Sequence, residues 1–265
     1  MVALDQTLDI PRSLEAEAGN VNISVVIPTL NEAANLPHVF SRLPEGLFEV
    51  ILVDGHSTDS TIDVARALLP DVRVVLQRGK GKGNALACGF AAARGDIIVM
   101  LDADGSTDPA EIPAFIAPLL DGADFAKGSR FARGGTSHDI TPIRKLGNKA
   151  LNGTVNVLFG TRYTDLCYGY NAFWTRCLPH MNVTCDGFEV ETLINVRVAQ
   201  AGLEIREVPS IERERLFGES KLNAWRDGRR VLRTIVTERF RRGADHVGGS
   251  WQPTYTELEH EPALA

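Results

Sequence analysis

No apolar run in these 265 residues approaches the roughly 18 to 20 that cross a bilayer, so no spanning helix is expected. Basic residues are outnumbered. The 28 Lys and Arg face 34 Asp and Glu, and the net charge of −6 argues against nucleic acid as a partner. The N-terminal MVALDQTLDIPRSLEAEAGN has neither a basic lead nor an apolar stretch behind it, so a cytoplasmic protein without a secretory signal is expected. The four cysteines, Cys88, Cys167, Cys177 and Cys185, contain no C-x-x-C pair, which points to buried free thiols over a disulfide or zinc framework. The six histidines offer no pair at metal-ligand spacing. PTLNEAANL, after the first apolar run, lacks the G-x-G-x-x-G turn of a dinucleotide site. GKGKGNAL (79–86) lacks P-loop spacing; its glycines, with Lys80 and Lys82, suit phosphates ahead of a helix or, equally, a solvated turn.

What is present is an alternation of strand-like and helix-like runs. NISVVIPTL (22–30), FEVILVDG (48–55), DVRVVLQ (71–77), DIIVMLDAD (96–104) and FAKGSRF (125–131) read as strands. Helices are expected over 31–43, opened by Asn31, from about Ser57, over 83–95 and over 109–120. Continuous apolar strands separated by helices imply an α/β fold, a mostly parallel sheet covered on both faces. Ligands in such sheets sit at the carboxyl ends of the strands, where Asp54 and Asp102 both fall. The expected organisation is a loose extension over 1–20, one catalytic domain over 21–224, a basic amphipathic helix over 225–243 and a disordered tail over 244–265.

The stretch IIVMLDADGSTDP (97–109) raises a question of charge. Five apolar residues run straight into Asp102, Ala103 and Asp104. If the strand continues, both carboxylates share a face, and their repulsion costs energy unless a cation offsets it. The plainer reading is that Asp102 ends the strand, Asp104 caps the next helix and Gly105 makes the turn.

The order and spacing of VVIPTLNEAANL, VDGHSTDST, GKGKGNAL and LDADGSTDP resemble a family 2 glycosyltransferase with the GT-A fold. GSRFARGG, TDLCYGYNAF, GFEVE and RLFGESKL narrow the resemblance to the polyprenol-phosphate (dolichyl-phosphate) mannosyltransferase and glucosyltransferase group. The resemblance covers about residues 22–222. It implies an inverting, metal-dependent transfer of a hexose from a nucleotide-diphosphate sugar, of the GDP-mannose or UDP-glucose type, to a polyprenyl phosphate. Two alternatives stay open: a saccharide or other soluble hydroxyl acceptor, and a nucleotide-sugar-binding protein without turnover.

Carried over residue by residue, the resemblance puts Pro28, Leu30 and Glu32 around the nucleotide and Asp54 against the base. The family often reads VDDGSTD where this chain reads VDGHSTD, so Gly55 replaces the second aspartate. Asp102 and Asp104 match the metal-binding Asp-x-Asp, with Ala103 between them beside the donor; Mg²⁺ or Mn²⁺ there would neutralise the leaving diphosphate. Lys82, Arg215 and Lys221 are donor-side cations, and Gly218 gives the RLFGESKL loop freedom. Arg130, Arg144 and Asn148 would hold the acceptor phosphate, since a guanidinium pairs bidentately with phosphate oxygens. Arg130 is therefore a catalytic candidate with the two aspartates. Glu189 and Glu191 are general-base candidates, on one face if GFEVE is a strand and diverging if it opens a helix. TDLCYGYNAF departs from the group's TDxxSGF by carrying Tyr168 for serine.

WRDGRRVLRTIVTERFRR (225–242) sets seven arginines against Asp227 and Glu238, a net charge of +5 within an acidic chain. Val231, Leu232, Ile235, Val236 and Phe240 recur near helical spacing. Such a helix lies on an anionic membrane surface, at the inner face of the cell membrane, or packs its apolar stripe on the domain.

Overall fold

The computed structural model describes residues 21–218, 224–241 and 253–259. The expected N-terminal extension over 1–20 and the donor-side Lys221 lie outside the described residues. Four apolar runs become β1 (Ile23–Thr29), β2 (Glu49–Asp54), β3 (Arg73–Gln77) and β4 (Ile97–Met100), paired in parallel in the order β3-β2-β1-β4. Side chains alternate across the sheet: Val25, Ile27, Ile97 and Val99 enter one core, and Val26, Ile98 and Met100 the other. Both faces are therefore dry, which is why β4 reads as an unbroken apolar run.

The first core is closed by α1 (Leu36–Phe40), α2 (Thr61–Leu68) and α4 (Ile112–Leu120), and the second by α3 (Gly81–Ala92), α6 (Leu178–Met181) and α7 (Val190–Gln200). Beyond β4 the sheet continues through the antiparallel β7 (Asn171–Trp174) to β5 (Phe125–Ser129) and β8 (Ile205–Pro209). A two-stranded parallel sheet joins β6 (Thr136–Ser137) to β9 (Ile211–Glu212). A third cluster, with Val155, Tyr163, Leu166, Val196, Val231 and Ile235, packs α5 (Pro142–Phe159) and α8 (Ala224–Phe240) against α7. The amphipathic segment thus docks on the domain through Val231 and Ile235. All four cysteines are free thiols.

Several local expectations are corrected. Asn31 does not open a helix: it has φ +58°, its N–H donates to Ser57 Oγ at 2.9 Å, and its Oδ1 accepts from Thr58 N at 2.7 Å. That cross-loop pairing holds residues 31–35 in turns and delays the two helices to Leu36 and Thr61. The helix expected from 83 starts at Gly81, with Gly83 N donating to Asp186 O at 2.9 Å. β4 stops at Met100, so Asp102 and Asp104 do not share a strand face. Within the stretch expected to be disordered, β10 (Tyr255–Leu258) adds antiparallel to β3 and closes that edge of the sheet.

Candidate active site

A cavity of about 1060 Å³ opens at the carboxyl ends of β1, β2 and β4, where a parallel sheet presents its ligand site. Pro28, Leu30, Gly55 and Gln77 line one end. Asp102, Ala103, Asp104 and Lys82 line the middle, and Ile143, Arg144, Asn148 and Trp225 the other end.

Each aspartate of the Asp-x-Asp is charge-paired. Lys82 Nζ lies 2.6 Å from Asp102 Oδ1 and 2.7 Å from Glu191 Oε1. Burial alone would lower the Lys82 pKa, but the two carboxylates outweigh it and hold the ammonium above its ordinary value. The backbone comes close here because residue 169 is glycine; a Cβ would stand 2.8 Å from Lys82 Nζ and 3.0 Å from Asp102 Oδ2. Asp104 turns one oxygen inward, accepting from Ser106 N at 3.0 Å and Ser106 Oγ at 2.6 Å. Its other oxygen meets Arg215 Nη2 at 2.8 Å, and Arg215 Nη1 reaches Glu32 Oε1 at 3.1 Å. The arginine rides on a docked loop: Phe217 N donates to Asn35 Oδ1 at 3.0 Å, and Arg213 N to Ser106 O at 2.7 Å.

Among the described residues no group of three or more His, Cys, Asp or Glu gathers around a metal position. Asp102 and Asp104, each paired with a cation, Lys82 and Arg215, are nonetheless the hard oxygen donors that would suit a divalent cation.

The other predicted residues divide. Pro28, Leu30, Glu32 and Ala103 line the cavity. Asp54 is not among its lining residues: its Oδ2 accepts from Ser57 N at 2.9 Å, while its neighbour Gly55 faces the space. Register explains this, because Asp54 pairs with Leu76 and the next residues, Gly55 and Gln77, fall on the opposite face. His56 is a turn residue with φ +65°.

Arg130 also differs from expectation. It borders the cavity, yet it is buried and its guanidinium fork is taken: Nε and Nη2 reach Asp165 at 2.7 and 3.0 Å, and Nη1 reaches both oxygens of Glu212 at 3.0 and 3.1 Å. Although burial pushes the Asp165 carboxyl up, Arg130 outweighs that and holds it below the ordinary aspartate value. Asn148 joins the same cluster, with Nδ2 2.9 Å from Asp165 Oδ1 and its own Oδ1 buried without a partner among the described residues. Arg144, one turn earlier on α5, is the more available cation, held among the described residues by Asp139 at 3.3 Å.

GFEVE opens a helix, so Glu189 and Glu191 diverge. Glu191 is committed to Lys82. Glu189 takes Gly187 N at 3.3 Å and is not among the residues lining the cavity.

Reading the sequence missed Asp165 and Glu212 as partners of Arg130; the acidic residue of TDLCYG and the only acid on β9 were their only signal. It also missed the apolar rim, where Ile143, Leu146 and Trp225 are 63%, 69% and 80% exposed.

The family described as Glycosyl transferase family 2 matches residues 24–177, more than half of the chain. Glycosyltransferase AglJ of Haloferax volcanii is 32% identical over 211 residues, covering 78% of this chain and 68% of its own length. The dolichol-phosphate mannosyltransferase of Pyrococcus furiosus is 33% identical over 211 residues, 76% of this chain and 59% of its own. The undecaprenyl-phosphate mannosyltransferase of Micrococcus luteus is 32% identical over 224 residues, 80% of this chain and 92% of its own. Among solved structures, glucosyl-3-phosphoglycerate synthase from Mycobacterium tuberculosis, in complex with Mn²⁺, UDP-glucose and phosphoglyceric acid, aligns with a TM-score of 0.71 at 26% identity. That alignment covers 85% of this chain and 82% of the synthase, so the α/β fold is of the GT-A type.

Proposed function

The chain belongs to glycosyl transferase family 2, and from that premise we propose that it moves a hexose from a nucleotide-diphosphate sugar to a polyprenyl phosphate, with inversion. The observation that carries this reading is the shape of one cavity. It runs from the Asp102–Asp104 carboxylates to a rim of exposed Ile143, Leu146 and Trp225 beside Arg144. A prenyl chain has need of an apolar rim, and its phosphate has need of a nearby guanidinium. The names of the archaeal and micrococcal mannosyltransferases point to the same acceptor class.

A divalent cation, Mg²⁺ or Mn²⁺, bound by Asp102 and Asp104 would neutralise charge on the departing nucleoside diphosphate. Glu32, Leu30 and Pro28 frame the donor, and Arg215 and Lys82 supply further positive charge along it. Arg144 orients the acceptor phosphate, and Arg130 acts through position, holding Asp165 and thereby Asn148 at the wall. A phosphate acceptor is already anionic and requires no base, which agrees with Glu191 being bound to Lys82. The mycobacterial synthase was solved with a soluble acceptor, phosphoglyceric acid. A soluble hydroxyl acceptor here would have to draw its base from elsewhere. Loose association with the inner face of the cell membrane completes the proposal.

The test is incubation with GDP-mannose and UDP-glucose, Mn²⁺ or Mg²⁺ and polyprenyl phosphate, reading lipid-linked sugar by mass. Asp104→Asn or excess chelator should lower turnover at least a hundredfold, a loss typical of removing one electrostatic contact to developing charge, with circular dichroism unchanged. Sugar appearing only on soluble acceptors would overturn the lipid reading.

A further inference from the structure

We propose that Gln77 reads the nucleobase of the donor, in the space that a side chain at position 55 would otherwise fill. The proposal rests on the reading of the cavity as a nucleotide-sugar site and deepens it.

Gln77 ends β3 and lines the cavity with Gly55, Thr29 and Leu30, at the end away from α5 and α8. It is only 4% exposed, and its Oε1 is buried without a hydrogen-bond partner among the described residues. A buried, unpaired amide oxygen is costly, and native structures keep few of them. Gln77 itself lines the open cavity, so a turn of the amide would bring this covered oxygen to a ligand that completes it. Position 55 explains why the amide fits: a Cβ on Gly55 would stand 2.9 Å from Gln77 Nε2 and 3.2 Å from Thr29 O. Any side chain at 55 would therefore displace the amide. The strand itself is held, since β10 pairs Tyr255 opposite Gln77.

An amide presents an acceptor beside a donor, a match for a base edge that sets an N–H next to a carbonyl. Uracil and guanine both carry such an edge. A carboxylate at this place would offer acceptors alone, so replacing a 55-side carboxylate by a 77-side amide adds a donor toward the base carbonyl.

The experiment measures dissociation constants of UDP, GDP, ADP and CDP by calorimetry in Mn²⁺ buffer, with inorganic pyrophosphate as the probe without a base. The wild type should prefer UDP or GDP. Gln77→Ala should weaken that nucleotide about tenfold, equivalent to about 1.4 kcal/mol, and leave pyrophosphate unchanged. An unchanged ratio between preferred and other bases in Gln77→Ala would overturn the proposal while leaving the nucleotide site standing. A wild type that binds none of the four nucleotides would instead overturn the parent reading. If Gln77→Ala does not fold, Gln77→Glu keeps the shape and removes the N–H donors, and it must lower the same ratio. Gly55→Ala should do so too by pushing the amide aside; an unchanged ratio in either variant counts against Gln77.

Discussion

Arg215 places its Nη2 2.8 Å from Asp104 Oδ2 while its Nη1 holds Glu32 Oε1 at 3.1 Å, so one guanidinium bridges the β1 loop and the Asp-x-Asp turn. Both carboxylates line the space in which we place the donor. On the proposed reading the arginine and a divalent cation would compete for Asp104, and the bridge would have to open as the diphosphate enters. The loop that carries Arg215 is suited to such a step, since Gly218 sits at φ +80°.

Arg215→Ala should accordingly have opposite effects on two measurements. Free Mn²⁺ should bind more tightly, because Asp104 and Glu32 lose their internal counter-charge. Transfer should fall about 10- to 100-fold through loss of charge-assisted hydrogen bonds worth roughly 1.5–3 kcal/mol. Titration of Mn²⁺ by electron paramagnetic resonance reads the first effect and steady-state kinetics the second. Unchanged Mn²⁺ affinity would remove Arg215 from the metal's immediate surroundings.

The two arginines of the acceptor side should separate cleanly. Arg130→Ala leaves Asp165 and Glu212 facing each other without their cation and should cost about 3–5 kcal/mol of stability, as broken buried pairs do. Arg144→Ala, with its partly exposed pair to Asp139, should cost under about 1 kcal/mol. It should nevertheless raise the KM for polyprenyl phosphate about tenfold with the donor KM unchanged. Urea unfolding and two-substrate kinetics decide it. A stable Arg130→Ala with a selective acceptor defect would return the phosphate contact to Arg130.

The sequence made the parallel core legible because β1, β2 and β4 are apolar on both faces. It left α5 unread for a physical reason: the inward face of that helix carries Asn148 and Asn152 with Val155, while Ile143, Leu146 and Val157 face outward. A polar inner face and an apolar outer one invert the usual pattern. The partners of Arg130 stand 35 and 82 positions away, beyond any local signal. The face on which Asp54 falls depends on where β2 ends its register with β3, a one-residue matter that composition does not encode.

Acid should expose the Arg130–Asp165 pair. The folded pKa of Asp165 lies below the ordinary 3.8, so its stabilisation is fully present above that value and is lost as pH falls through the folded pKa. Asp165→Asn should therefore be destabilising at pH 7, by about 3–5 kcal/mol. The gap to wild type should narrow as pH drops below 3.8. Chemical denaturation at pH 7 and pH 3 checks this, and a gap independent of pH would mean that the charge of Asp165 is not what holds Arg130.

The last prediction concerns α8 and the membrane. The helix buries both of its acids: Asp227 and Glu238 are each 3% exposed, Glu238 pairing with Arg197 at 2.8 Å. Its outward face is left to arginines and to Trp225, Leu232, Val236 and Phe240, with Trp225 and Phe240 80% and 79% exposed. Packing on the domain and contact with a membrane would thus use different faces of one helix. Among the described residues no helix is long and apolar enough to cross a bilayer, so contact through α8 would be at headgroup level. Each arginine near an anionic surface contributes roughly 1 kcal/mol, screened by salt. Co-sedimentation with phosphatidylglycerol vesicles should capture the wild type at low salt and release much of it at high salt. Changing Arg229, Arg233 and Arg239 to Glu should abolish capture, and Trp225→Ser with Phe240→Ser should weaken it at every salt concentration. Equal capture of all three proteins, or none of the wild type, would leave α8 as a packing element and require the lipid acceptor to reach the cavity by another face.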